Sequence, residues 1–491
     1  MANKPLEVLR AENAQRKEVR ELYDHQAHDI ATAVIGVDTL WGGDILQESG
    51  TNHFIADSWT SEAKPPEVYW DARAQALREK GGVLGGVDAA TVSDFIGAHR
   101  LYEAASKMVT AGYNSLRKMR GDYLRRTGRA LITMLDTAVA ASRKSDLPSF
   151  QQRYLTGTGK EFVGKKDPAD AREALRKALS KAGYDTTPSR DLRETFLAWE
   201  KGTGVVAPED IRDGANEFIE LLLDLSMKRI FKPLMESGEK IRGQASALSD
   251  ARSGLEFRTI RGARFTGSLA YRGGQDPDGR PLLRALYEYN TDHPMTESGL
   301  LHLCSHEIYP GHALNMSFID LLSMALRLDF EATLGTMCTP AATFQEGWAE
   351  NAFPLLFGSI DNACEFFDGM REGLGTNLRV TLANAYLESF GKHNAPALVA
   401  KGMADEDVLE YVARECVQTD IKAGKLLRWG KHPIMGAMYS PGYLIGTDTV
   451  REALRRNRFM NEDDLQVARV GLHLEGLVDN VSFGEKFQVQ A

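Results

Sequence analysis

The chain has 491 residues, too many for one small hydrophobic core, so two or three packed subdomains are expected. With 43% hydrophobic and 26% charged residues it reads as an ordinary folded protein and not a disordered one. A net charge of -9 argues against a nucleic-acid partner and leaves no polybasic patch for an anionic membrane.

The first ten residues, Met1 to Arg10, lack the apolar core of a signal peptide. No stretch is long and apolar enough to span a bilayer, since the best run, Phe218 to Met227, is interrupted by Glu220 and Asp224. Four cysteines, Cys304, Cys338, Cys364 and Cys416, form no C-x-x-C pair and read as buried reduced thiols, so the expected location is cytoplasmic. Gly81-Gly82-Val83-Leu84-Gly85-Gly86 reads as a flexible loop, and Thr156 to Pro168 as an exposed loop or linker. Within the latter, Gly157-Thr158-Gly159-Lys160 lacks the spacing of a phosphate loop, and Glu161 stands where a hydroxyl is needed.

Phe218, Leu221, Leu222 and Leu225 mark one face of a helix. Val408, Leu409 and Val412 mark another, with Asp405 placed to cap it, and Asn461 opens a further helix whose apolar run starts at Leu465. Phe257 to Tyr271, a turn at Gln275 to Gly279, and Leu282 to Tyr289 give the one good β signal, a small hairpin or sheet. Its edge could pair with an extended peptide, and Arg258, Arg261, Arg264 and Arg272 offer charge for a carboxylate terminus. The expected fold is therefore mainly α, a multi-helix body with a deep cleft and one small β element. Residues 1–250 form an N-terminal helical half, and 251–491 a half that carries a metal motif.

That motif begins with a helix from Thr296, for which Thr296 or Ser298 is the cap, running to His306 and Glu307. In zinc hydrolases a histidine holds the metal while the next carboxylate takes the proton of a water made acidic by the ion. The usual second ligand lies at i+4, on the same face of the helix. Here that position is Pro310, and the next histidine is His312 at i+6, which a regular helix would turn away. His312 joins the site only if Pro310-Gly311 distorts the helix; His302, four residues before His306, is its rival. Downstream, Phe344-Gln-Glu-Gly-Trp-Ala-Glu350 places Glu346 and Glu350 on one helical face, a source for the carboxylate that completes a two-His site. Glu350 is equally a partner that orients a ligating histidine.

The His306-Glu-Ile-Tyr-Pro-Gly-His312 string followed by Glu346-Gly-Trp-Ala resembles the DUF885 family of bacterial proteins, grouped with gluzincin-type metallopeptidases. The likeness extends more weakly to Tyr289-Asn290 and Tyr443-Leu-Ile-Gly446, and so covers roughly Phe257 to Arg451. It implies a helical body with a deep cleft, Zn2+ held by His306, His312 and Glu346, Glu307 as general base and Tyr443 as oxyanion donor. The family's Arg-x-x-x-Asp-x-Gly-x-His stretch has its counterpart at Arg379 to Leu387, without the Asp and the His. The expected function is zinc-dependent hydrolysis of a peptide or small amide. The alternatives are a metal-binding scaffold protein without peptidase activity, which the altered Arg379 stretch favours, and a metal hydrolase or lyase on a non-peptide small molecule. The oligomeric state is open.

Overall fold

The computed structural model describes residues 24–47, 49, 54–61, 64–231, 254–263, 265–275, 281–324, 328–456 and 477–487. Met1 to Arg10, Arg264, the turn residues Asp276 to Gly279 and the helix start at Asn461 lie outside them. The fold is mainly α, with small sheets of two and three strands. Among the described residues no helix is long and apolar enough to cross a membrane.

Three helices, α1 (Asp24–Leu40), α2 (Leu101–Asn114) and α3 (Lys118–Arg143), pack together at the N-terminal end. Gly36 of α1 lets the Leu101 side chain lie against its backbone, since a Cβ there would meet Leu101 Cδ2 at 2.4 Å. Helix α4 (Ile211–Ser226) buries Phe218, Leu222 and Leu225 of the expected stripe and leaves Leu221 partly covered. One hydrophobic core runs through both halves of the chain, joining Val34, Leu131 and Phe218 to Leu301, Ile308 and Leu378. This core, with three smaller clusters beside it among the described residues, removes apolar side chains from water, the dominant favourable term in folding.

The β structure is richer than a hairpin. Strands β2 (Leu255–Ile260), β3 (Gly267–Gln275) and β4 (Pro281–Asn290) form a sheet in the order β2-β4-β3, with β3 antiparallel and β2 parallel to β4. A second sheet, with no clear sequence signal, pairs β1 (Ala56–Trp59) with β5 (Leu334–Thr336). Both strands are too short for an alternation of apolar and polar residues to stand out. Two local expectations change as well. Asp405 begins its helix but does not cap it: Ala404 holds the cap position without a side-chain bond. Thr156 to Thr158 belong to a helix, Phe150–Thr158, capped by Ser149 and ended by Gly159, in which Gly157 fits directly against the Met438 backbone, 2.3 Å from a Cβ it lacks. The Gly81–Gly86 stretch contains a short 3-10 turn, Gly82–Gly85.

The half after residue 290 supplies α5 (Glu297–Glu307), α6 (His312–Met324), α7 (Pro340–Glu350), α8 (Leu374–Ala400), α9 (Asp420–Lys431) and α10 (Gly442–Arg456). Helices α7 and α10 pack intimately, and α8 lies against α5, α9 and α10. The three-stranded sheet packs on α5 and α6 through β3: the Cβ missing from Gly267 would sit 3.0 Å from Leu303, and Tyr271 donates to Asp320 at 3.2 Å.

Candidate metal centre

Thr296 caps α5, its side chain accepting from the Gly299 amide at 3.1 Å, and the helix ends at Glu307. Ile308 leaves helical geometry, the Tyr309–Pro310 peptide is cis, and a new helix starts at His312. The i+6 problem is thus resolved by a break between two helices, with no kinked helix involved. Gly311 makes the reversal possible, because a Cβ there would lie 1.7 Å from the His306 carbonyl oxygen. The rings of His306 and His312 end 4.9 Å apart, centroid to centroid.

Thr339 caps α7 with Pro340 in its first turn, and that helix lays Glu346 between the two imidazoles. His306 Nε2 is 3.5 Å from Glu346 Oε2, and His312 Nε2 is 3.7 Å from Glu346 Oε1. The rest of the motif is structural. Gly347 lets α10 approach, and Trp348 Nε1 donates to the Pro310 carbonyl at 3.1 Å, pinning the turn between the two histidines. Glu350 reaches the other nitrogen of His306, 3.8 Å from Nδ1, and stands 3.8 Å from His302 Nε2.

Two sets of side chains bring their ligand atoms within 4.8 Å of one another: His306, Glu307 and His312, and His302, His306 and Glu350. All but Glu307 are four-fifths or more buried. Glu346 belongs to neither set, because it meets His306 through Oε2 and His312 through Oε1, but the nitrogen and carboxylate donors gathered here are of the kind zinc takes. Tetrahedral bonds of about 2.0–2.1 Å hold ligand atoms roughly 3.3–3.5 Å apart, close to the spacing of Glu346 from each imidazole. Glu346 Oε2 is buried with no hydrogen-bond partner, an arrangement that is costly unless something cationic completes it.

Burial alone would raise the Glu346 carboxyl and lower the His312 imidazole, but each reverses the other's shift. Glu346 is held well below the usual carboxylate range by His312 and His306. His312 is raised to about 9 by Glu346, Glu307 and Asp57. His302 behaves oppositely: burial takes it down to about 4, and Glu350 offsets this only in part.

Tyr443 lies beside this group, one link removed. Tyr439 donates to Glu346 Oε1 at 2.6 Å, and the Tyr443 hydroxyl is 3.2 Å from that of Tyr439. Burial, then the Glu346 charge, pushes Tyr443 well above the ordinary phenol value, so it stays protonated and able to donate. Tyr439 went unrecognised in the sequence, although its spacing of four from Tyr443 was a usable signal.

Asp57 was also missed. It comes from β1, whose start is held by Asp38: its Oδ1 accepts from the Ile55 and Ala56 amides at 2.7 and 3.0 Å. Burial raises Asp57 to about 6, opposed by the nearby His312. Nothing local in Ala56-Asp-Ser-Trp59 announces a site residue. The arginines expected to serve a substrate are otherwise engaged. Arg258 pairs with Glu256 at 2.9 Å, Arg261 donates to Thr291, and Arg272 donates to the Gln47 carbonyl.

No family model matches the chain, and no curated protein matches it. Among solved structures, a candidate lipoprotein from Colwellia psychrerythraea is similar over 83% of this chain and 70% of its own, at 13% identity and a TM-score of 0.46. A candidate lipoprotein of unknown function from Shewanella oneidensis is similar over 85% of this chain and 77% of its own, at 16% identity and a TM-score of 0.45.

Proposed function

We propose that the protein is a zinc-dependent hydrolase of peptide or similar amide bonds, with His306, His312 and Glu346 holding the ion. The observation that carries this reading is Glu346, a buried carboxylate set between two imidazoles with one oxygen left without a hydrogen bond. His312 is preferred to His302 as the second ligand for a geometric reason. His306 and His312 turn the same nitrogen, Nε2, toward one carboxylate, whereas Glu350 and His302 lie on the Nδ1 side of His306. A ligating histidine commonly gives its other N–H to a carboxylate, which makes Glu350 the residue that orients His306.

Zinc, when bound, supplies the charge that acidifies water and polarises a carbonyl. Glu307 accepts the proton of the attacking water and returns it to the departing amine. Tyr439 gives its one hydroxyl proton to Glu346, so the Tyr443 hydroxyl points its proton at Tyr439 in the resting centre and turns it to hydrogen-bond the oxyanion. The nearby Asp57 carboxylate helps balance the charge of His312. Four buried cysteines, none in a disulfide, agree with a reducing compartment such as the cytoplasm.

A second reading, a metal-binding protein without turnover, draws on Arg379. Its guanidinium pairs with the exposed Asp361 and not with any residue of the centre. Zinc content by elemental analysis, followed by a screen of peptide and amide substrates on the zinc-loaded chain, separates the two. One zinc per chain with turnover supports the hydrolase, and one zinc with no turnover of any amide supports the binding protein. No zinc removes both.

A further inference from the structure

Helices α8 and α9 bring three lysines to one flank of the metal centre. Lys392 and Lys422 share Glu388, at 3.5 and 3.1 Å. Lys425 has no carboxylate partner among the described residues, and its ammonium lies 5.1 Å from the centroid of Trp429. Glu350 and Glu200 act on Lys422 from further off, and Arg428 adds positive charge beside Lys425. The result is a local excess of cations in a chain whose net charge is -9.

The patch is tied to the centre by contact. Lys392 Nζ sits 3.4 Å from the centroid of the Tyr443 ring, Tyr443 meets Tyr439, and Tyr439 meets Glu346. That chain of contacts puts the ammonium on the order of 10 Å from Glu346, the reach of two or three extended residues at ~3.3–3.6 Å each. On its other side the patch reaches the end of β4. His293, just past that strand, is lowered by burial and then by Lys425 and Lys422. Lys425 is itself lowered to about 8 by burial, with Glu388 opposing. A partly dehydrated ammonium lacking an anionic partner gains more from a carboxylate than one in open water does.

We propose that Lys392 and Lys425, braced by Lys422, form a subsite for the free carboxylate terminus of a peptide lying across the metal centre. This rests on the hydrolase reading above and narrows its substrates to peptides cleaved within two or three residues of the C-terminal end. The lysines replace Arg258, Arg261 and Arg272 in that role, since Lys392 is in contact with Tyr443 while those arginines hold Glu256, Thr291 and the Gln47 carbonyl.

The test uses N-acetyl-tetra-alanine and its C-terminal amide, titrated calorimetrically at low salt into zinc-treated Glu307→Gln full-length chain. The acid is expected to bind at least about tenfold more tightly than the amide, the scale of one hydrogen bond to a charged group. Lys392→Met and Lys425→Met, each added to Glu307→Gln, should bring the acid down to the amide's affinity while the amide's affinity and the zinc content stay unchanged. Lys425→Met is the gentler variant, since it breaks no ion pair. Equal binding of acid and amide overturns the subsite, as does a preference that survives both substitutions. Failure of both peptides to bind a chain that holds one zinc also overturns it and leaves the metal reading standing. A chain that holds no zinc yet prefers the acid through these lysines keeps the subsite and sinks the hydrolase.

Discussion

Gly347 and Gly446 meet backbone to backbone: a Cβ on Gly347 would lie 2.1 Å from the carbonyl carbon of Gly446. A Cβ on Gly446 would in turn lie 2.0 Å from the Thr343 carbonyl oxygen. This contact sets the separation of α7 and α10, and so the separation of Glu346 from Tyr443. Gly446→Ala is expected to lower stability by about 1–3 kcal/mol through overpacking. It should lower zinc affinity as well, because Glu346 moves with its helix. Denaturant melts and elemental analysis read the two effects, and a variant with wild-type values for both would show that the helices part freely.

Gly311→Ala attacks the reversal between α5 and α6. With a methyl group directed at the His306 carbonyl, His312 can no longer fold back beside His306. The expected result is a chain that retains most of its helical circular dichroism but binds zinc as poorly as His312→Ala. Full zinc occupancy in Gly311→Ala would mean that His312 is dispensable, and would direct attention to His302 and Glu350.

Glu307→Gln keeps the shape of the side chain and removes its ability to accept a proton. Zinc content should equal that of the wild type, while kcat on any amide substrate that the wild type turns over falls about 10²–10⁴-fold or more. His306→Ala should abolish zinc binding. His302→Ala should retain the ion with affinity reduced by no more than about 10–100-fold, the usual effect of a supporting residue. Loss of zinc in His302→Ala with retention in His312→Ala would reverse the ligand assignment.

His393, away from the centre, makes stability depend on pH. It is fully buried on α8, its ring nitrogens bonded to the Tyr154 hydroxyl at 3.0 Å and to Asn394 Oδ1 at 2.9 Å. Burial lowers it from 6.5 to about 4, only partly opposed by Asn394. Between those values the unfolded chain takes up a proton that the folded one refuses, so stability is full above pH 6.5 and lost as pH falls toward 4. The loss amounts to about 3 kcal/mol at the lower end. Urea midpoints from pH 7 to 4 measure it, and His393→Gln should flatten that part of the curve. An unchanged slope in the variant would assign the acid sensitivity to other groups.

Much of this arrangement was legible in the sequence, for identifiable reasons. The Thr296 cap, the face formed by Phe218, Leu222 and Leu225, and the Glu346/Glu350 pair all follow from local spacing, and local spacing survives folding. The place of His312 could not be read that way. An i+6 interval has meaning only once the chain is known to stop one helix and start another, and Pro310-Gly311 suggested a distorted helix where the chain in fact ends one and begins the next. The parallel pairing of β2 with β4, the β1–β5 sheet and Asp57 depend on contacts between distant segments. No window of a dozen residues contains them. The lysine patch escaped for a related reason: Lys392 and Lys425 lie on different helices, and each alone reads as a solvated surface charge.

The tether from Asp38 to the start of β1 bears on the order of events as the chain folds. All the proposed ligands lie after residue 300, yet the Asp57 charge comes near His312 only when β1 has paired with β5, joining Ala56 to Thr336. Contacts so remote in sequence form slowly, because the loop between them must close before they contribute anything. The helices of the second half can therefore assemble while the centre is still electrostatically incomplete. On the proposed zinc reading, the mature centre waits for a four-residue strand from the other half of the chain.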